Sequence, residues 1–278
     1  MKAIFTSDLH GNISQYNTLF KKADKLNIST IIIGGDILVK GLGSSIEVQK
    51  QFIKEKLIPL FQKQQSKKHY NILLILGNDD WASCLEELNP FDGKLFDLIN
   101  MKRKEINGID FVGYSYVPIT PFGIKDWEKW DNENQPIDNV RLQGFKSKGN
   151  DRVEFKFNPG NKEDSIENNL KKLSKLSNPK KTVYILHSPP YNTNLDIILG
   201  GVHVGSQAIR EFIEKEQPLL TLHGHIHESV DVSKKFTEKI GKTISASSGN
   251  YNDMPELALI IFDTDNLSNI KREIISCR

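Results

Sequence analysis

Apolar positions along the first hundred residues alternate between two periods. Residues 2–5 form a short apolar run, and from Ile13 the spacing turns helical, with Tyr16, Leu19, Phe20, Ala23 and Leu26 recurring at three and four. Residues 31–33 predict a second strand, closed by Gly34-Gly35. Residues 46–61 predict a helix with Phe52, Ile53, Leu57 and Leu60 on or beside one face, and Pro59 near its end to kink or stop it. Residues 72–76 predict a third buried strand, ended by Gly77. Strand, helix, strand, helix, strand in this order implies right-handed crossovers and a sheet covered on both faces.

From 114 to 164 the periodicity fades, and Gly, Pro, Asn and charge dominate. This stretch holds Pro118, Pro121, Trp127, Trp130 and the polar run 131–138, yet 153–157 alternates as a strand does, which argues against a domain linker. The chain reads as a single domain over 1–278 with a long irregular insertion at about 114–164. Either the insertion lies over an active site or it is a solvent-facing loop. Its tryptophans and prolines, costly in a purely solvated loop, predict that it borders the cleft and shapes substrate choice. Order returns with a helix at about 163–176, stopped by Asn178-Pro179, a strand at 183–186, a helix at 207–215 and a strand at 219–222. Residues 244–246 and 257–262 predict closing strands. There is no internal repeat and no low-complexity tract.

Composition narrows the class. Hydrophobic residues at 38% and charged residues at 26% support a packed core. Lys+Arg 37 against Asp+Glu 35 gives a net charge of +2, too balanced to argue for nucleic acid or an anionic membrane. The Lys-rich stretch 50–68 lies on and after a predicted helix and reads as a solvated face. Two cysteines, Cys84 and Cys277, make no disulfide framework, zinc ribbon or redox pair. The longest apolar runs are strand-sized, so no membrane span is predicted. The N-terminus runs straight into a strand without a signal-peptide layout. The expectation is a soluble, reduced, cytoplasmic protein whose oligomeric state is unreadable.

The chemistry lies where the polar residues fall. Each strand named above in the first and last thirds, the closing pair aside, runs into them: Asp8-Leu9-His10-Gly11-Asn12, Gly34-Gly35-Asp36, Gly77-Asn78-Asp79-Asp80, His187-Ser188-Pro189-Pro190 and His223-Gly224-His225-Ile226-His227. In a parallel α/β sheet the carboxyl ends of the strands share one edge, where ligands bind. Six of the seven histidines sit in turns, His203 among them, and only His69 does not. A lone histidine is usually a packing or surface residue; five strand ends each supplying Asp, Asn or His point to a metal site. Imidazole, carboxylate and amide oxygen suit Mn²⁺, Fe or Zn²⁺, and the lack of thiolates argues against structural zinc. Four histidines, two aspartates and an asparagine exceed what one ion needs and suit two ions about 3.5–4 Å apart. Such a pair leaves net positive charge that favours an anion such as phosphate.

Asp8-x-His10, Gly34-Gly35-Asp36, Gly77-Asn78, His187 and Gly224-His225-Ile226-His227 resemble, in the right order, the five motifs of the calcineurin-like metallophosphoesterases. Gly205-Ser206, Gln217-Pro218-Leu219-Leu220 and Gly224-His225-Ile226-His227-Glu228-Ser229 are similar to small predicted bacterial and archaeal phosphoesterases. The resemblance implies a four-layer αββα sandwich with the metal site at the carboxyl ends of the strands. It implies that Asp8, His10, Asp36 and His227 hold a first ion and Asp36, Asn78, His187 and His225 a second, with Asp36 bridging. Mn²⁺ is the expected metal, with Fe, Zn²⁺ or Ni²⁺ as alternatives. His223 reads as a packing or supporting residue, and His203 as a residue facing substrate.

One position departs from the family pattern. Many members follow the motif asparagine with a histidine that stabilises the transition state or protonates the leaving group; here it is Asp79, expected to be ionised beside two cations. Asp79 and His203 are therefore the candidate catalytic residues, and the leaving-group acid is in doubt. The expected activity is hydrolysis of a small phosphoester by metal-activated hydroxide, with a phosphodiester, cyclic or nucleotide-derived esters included, favoured over a monoester. Two other readings share the fold: a non-catalytic interaction scaffold, against which the filled ligand positions argue, and a nuclease, which the near-neutral charge disfavours.

Overall fold

The computed structural model describes residues 1–40, 45–135, 140–251 and 253–277. Two six-stranded sheets face one another. In the first, the order is Lys271–Ser276, Glu256–Asp263, Lys2–Thr6, Thr30–Gly34, Asn71–Ile75, Asp97–Leu98. In the second, it is Thr237–Ile240, Thr243–Ser247, Leu220–His223, Thr182–Leu186, Ile109–Tyr114, Arg103–Ile106. The central strands of both sheets are parallel; antiparallel strands close both edges of the second sheet and one edge of the first, whose other edge is the short parallel strand Asp97–Leu98.

The period-2 alternation of each strand decides the layers. Ile4, Ile31, Ile33, Ile72 and Leu74 point outward onto a helical layer carrying Tyr16, Leu19, Phe20 and Phe61. Their neighbours Ala3, Phe5, Ile32, Leu73 and Ile75 point inward against Phe111, Val183, Ile185, Leu220 and Leu222 of the other sheet. The far face of that sheet, with Val112, Tyr114, Tyr184 and Leu186, buries the helices Ile166–Leu173 and Gln207–Glu216. Helix, sheet, sheet, helix is the expected αββα sandwich. Both far helices start where sequence chemistry allows: Ser165 and Ser206 accept from the backbone N–H three residues on.

Three features differ from the periodic pattern. The helix expected over 46–61 is α-helical at Ile46–Phe52, widens into a π turn at Ile53–Leu57 and resumes at Ile58–Gln65. Pro59 explains it: proline has no N–H and its ring crowds the carbonyl one turn back, which the wider turn relieves. The stretch 114–164 is more ordered than its composition suggests, with an antiparallel hairpin of Gln143–Lys148 and Asp151–Lys156. Its two tryptophans do not face the cleft, as substrate-shaping residues would; both are buried. Trp127 packs against the outer core and donates Nε1–H to the Asp80 carbonyl at 2.8 Å, and Trp130 packs with Ile119 and Phe157. Apolar bulk there completes the outer core at Trp127 and fills a small satellite core at Trp130. No helix among the described residues is long and apolar enough to cross a membrane.

Candidate metal centre

Parallel strands in each sheet bring their carboxyl ends to one edge, and the loops that follow interlock there. Asp8 N–H donates to the Gly35 carbonyl and His10 N–H to the Asp36 carbonyl, so the first two loops run as a ladder. Gly224 N–H donates to the His187 carbonyl within the second sheet. His225 N–H donates to Asp8 Oδ1 at 3.0 Å and ties the sheets together. Close approach needs glycine at two points. A Cβ on Gly77 would lie 2.2 Å from Asp36 Oδ1, and one on Gly35 would lie 2.4 Å from His187 Nδ1.

Within this edge the side chains form two groups that share a carboxylate. Donor atoms of Asp8, His10, Asp36 and His227 all lie within 4.8 Å of one another. His10 Nε2 faces His227 Nε2 at 3.3 Å and Asp36 Oδ2 at 3.7 Å, and His227 Nε2 lies 3.6 Å from Asp8 Oδ1. On the other side of Asp36, its Oδ2 lies 3.5 Å from His187 Nε2, which is 3.1 Å from Asn78 Oδ1. The His225 ring stands 5.4 Å from that of His187, centroid to centroid. Asp36 Oδ1 is fixed by the Asp79 N–H at 2.8 Å, so Oδ2 is the oxygen turned to both groups.

These donors fit metal ions on the structure's own terms. Nitrogens and oxygens 3.1–3.7 Å apart have the spacing of neighbouring ligands on one ion. Two imidazole nitrogens facing each other with carboxylates behind them call for a positive charge between them. His187 Nδ1 lies 2.8 Å from the Gly34 carbonyl and donates to it, which leaves Nε2 as the coordinating atom. Asp8, His10, Asp36 and His225 are held in left-handed backbone at φ 56°, 41°, 50° and 69°. Non-glycine residues in that region cost about 1–3 kcal/mol each and collect at functional sites.

Electrostatics of the metal-free side chains agree. Burial would raise the Asp8 carboxyl, but the His227 hydrogen bond and charge outweigh it and bring its pKa to about 2. Burial lowers the His10 and His225 imidazoles to about 4 and about 3, so both present neutral nitrogens at pH 7. Burial acts against charge on His187 as well, yet Asp36 and Asp8 lift it to about 9. Two buried carboxylates thus draw a proton onto the nearest imidazole, the charge a bound cation would supply instead.

The other expected residues are placed as follows. Asp79 stands at the rim: its Oδ2 lies 3.2 Å from the exposed Lys40 Nζ and 3.9 Å from His10 Nδ1. Without bound ions, burial and the Asp36 charge raise its carboxyl to about 6, against the pull of Lys40. His203 Nδ1 lies 2.8 Å from Asp196 Oδ1, and His203 lines a cavity that reaches His225. His223 is fully buried with its ring nitrogens on the Leu186 and Ser188 carbonyls and the Thr221 hydroxyl, away from the donors.

Sequence reading missed several supporting residues. Asp80 Oδ1 accepts from Leu38 N–H, and its Oδ2 accepts from Ile37 and Gly77 N–H, clamping the loops that carry Asp36 and Asn78. Burial and Asp36 raise this carboxyl and the three amides oppose them. Asn250 donates to the Ser7 and Asp8 carbonyls. Only Asp80 had a signal, its place two residues after the motif asparagine.

Facing sheets with Asp, Asn and His gathered from five strand ends define the αββα class of metal-site proteins. Residues 1–229 match the calcineurin-like phosphoesterase family, and the chain belongs to it. Members of this family are phosphoester hydrolases that typically bind two metal ions. An uncharacterised protein of Methanocaldococcus jannaschii, MJ1162, is 32% identical over 249 residues, covering 88% of this chain and 86% of its own. Among solved structures, TT1561 of Thermus thermophilus superposes with a TM-score of 0.59 at 16% identity, over 100% of this chain and 99% of that one. A dimetal phosphatase from Danio rerio superposes with 0.57 at 10% identity, over 100% and 96%. At such identities the two structures speak to the fold alone.

Proposed function

We propose that the protein is a dinuclear metal-dependent phosphoesterase that hydrolyses a small phosphodiester in the cytoplasm, with Mn²⁺ as its metal. The observation that carries this is the convergence of seven donor side chains from five strand ends, in two groups meeting at Asp36 Oδ2. Asp8, His10, Asp36 and His227 would hold one ion, and Asp36, Asn78, His187 and His225 the other. When bound, such ions supply Lewis acidity towards phosphoryl oxygens and a low pKa for water.

The chain's own residues do the rest. Asp79 N–H and the Gly34 carbonyl fix the Asp36 carboxylate and the His187 ring, so the donors are oriented before anything binds. Of the two candidate catalytic residues, Asp79 is engaged with Lys40, whereas His203 stands on the cavity wall. Asp196 is buried and accepts from the Asn192, Thr193 and Gly205 amides as well as from His203 Nδ1–H. That leaves His203 Nε2 free, and as an imidazolium paired with Asp196 the ring would give its Nε2 proton to the departing alcohol and keep the one on Nδ1. Unpaired Cys84 and Cys277 are compatible with a reducing compartment.

The test is metal-stripped protein reloaded with Mn²⁺, Ni²⁺, Zn²⁺ or Mg²⁺ and assayed on mono-, di- and cyclic phosphoesters, with ions counted by elemental analysis. Two ions per chain and metal-dependent diester cleavage are expected. Failure to bind metal, with every ester untouched, refutes the reading.

A further inference from the structure

Beside His225 the site opens into a cavity of about 560 Å³. One wall comes from the insertion, with Pro118, Ile119, Pro121 and Phe122, and the facing wall from Ile198, Val202 and Val204. Its rim is apolar where solvent would favour polar groups: Phe122 is 54% exposed, Val202 55% and Val204 36%. Scattered exposed apolar residues mean little, but a cluster at the mouth of one cavity marks a binding surface.

Both walls are built rather than loose. Asp196 gathers the amides of Asn192, Thr193 and Gly205, and Ile198 N–H donates to the Val202 carbonyl, so the loop showing Val202 and Val204 is tied across its base. On the other side a buried Lys125–Glu128 pair at 2.6 Å holds the turn before Phe122. Lys125 Nζ donates to the Thr120 carbonyl, and Glu128 accepts from the Thr120 amide and hydroxyl. The charge pattern is equally specific. Among the described lining residues there is no lysine or arginine, and the Asp131 carboxylate is engaged by Ser206 and by the Gln207 and Ala208 amides. Glu228, the remaining carboxylate, would repel an anion. The wall also carries Thr120, Gln135, Tyr191, His203 and Gln207, which can hydrogen-bond, but among its described residues no lysine or arginine to pair with a second phosphate or a carboxylate on the substrate.

We propose that this cavity binds an uncharged, apolar organic group carried by the phosphoester, and that the enzyme selects small esters of aryl or bulky alkyl alcohols over dinucleotides and polyphosphates. This rests on the phosphoesterase reading above, which puts the phosphoryl group next to His225. An apolar group entering such a space gains affinity in proportion to the area it buries, while an anionic one loses hydration with no lysine or arginine to compensate it.

Phosphonates test this without turnover, because their C–P bond resists hydrolysis and the single organic group has one place to go. Methyl-, phenyl-, 1-naphthyl- and 2-carboxyethylphosphonate are titrated by calorimetry into full-length protein loaded with Mn²⁺. Phenylphosphonate should bind about 10- to 100-fold more tightly than methylphosphonate, naphthyl at least as tightly as phenyl, and carboxyethyl no better than methyl. Val202→Asn, a neutral change at an exposed position that should not disturb folding, should cut the ratio of aryl- to methylphosphonate affinity measured on the same variant. Equal affinity across the series overturns the inference alone and leaves the phosphoesterase reading standing. Binding to phosphodiester lipid vesicles but to no soluble arylphosphonate overturns the small-molecule form. No phosphonate binding, together with no ester cleavage under any metal, overturns both.

Discussion

Replacing Asp80 by alanine would remove the acceptor of three buried amides at once. Ile37 and Leu38 follow Asp36, and Gly77 precedes Asn78, so this carboxylate joins two metal loops without being among the donors. An unpaired buried N–H costs about 1–3 kcal/mol. With water recovering part of the loss in the vacated space, Asp80→Ala should destabilise by about 3–5 kcal/mol, a large share of the usual 5–15 kcal/mol. Urea unfolding followed by tryptophan fluorescence reads that loss. Metal affinity, measured on protein still folded without urea, reads the positioning role and should fall about 10- to 100-fold. Leu173→Ala is the control, because Leu173 is buried under the second sheet's outer face and its loss should cost about 2–5 kcal/mol. That variant should bind metal normally. If Asp80→Ala stays within about 1 kcal/mol of wild type, or if Leu173→Ala weakens metal binding equally, the clamp has been misread.

Asp36→Asn removes the negative charge shared by both groups and should leave fewer than two ions per chain with hydrolysis nearly abolished, whereas Asp79→Asn should keep both ions; elemental analysis separates them. His203→Gln should slow alkyl diesters by about 10²–10⁴-fold and nitrophenyl diesters far less. A loss independent of leaving-group pKa would take the proton away from His203. Trp127→Phe deletes one hydrogen bond to the Asp80 carbonyl and should cost about 1–2 kcal/mol with KM unchanged, read by urea unfolding and steady-state kinetics. Chelation should lower the melting temperature, since an ion at a hundred times its Kd adds about 2.7 kcal/mol per site; calorimetric scans that coincide with and without chelator would contradict the metal site.

What could be read from the sequence divides by the range of the interaction that makes it. Strands 2–6, 30–34 and 71–75 announce themselves because consecutive apolar residues are buried on both faces, and the helix Gln207–Glu216 because Ser206 caps a regular apolar stripe. The edge strand Arg103–Ile106 escapes because one face is solvated and its charged side chains mask the alternation. Trp127 misleads, since an aromatic in a polar stretch looks like a cleft residue until the core it fills is seen. Asp196 and Asn250 are unreadable, and Asp80 nearly so, for a stronger reason. Their partners include backbone amides or carbonyls that only the fold brings near, and a backbone group has no residue type for a pattern to show.

The donors escape that limit because of how the chain must leave a strand. To turn a side chain back over the sheet edge immediately after an extended segment, the backbone has to reverse within a residue or two, and left-handed φ at Asp8, Asp36 and His225 does this. Aspartate, asparagine and histidine tolerate that region better than most, and glycine beside them makes room, so the geometry and the coordination chemistry select the same few residue types. Strain of about 1–3 kcal/mol at each such residue persists only where something offsets it. The tie from His225 N–H to Asp8 and the ladder from Asp8 and His10 to Gly35 and Asp36 offset part of it within the protein. Ions drawn to the two carboxylates would offset more, which is why loss of metal should be felt in stability as well as in hydrolysis.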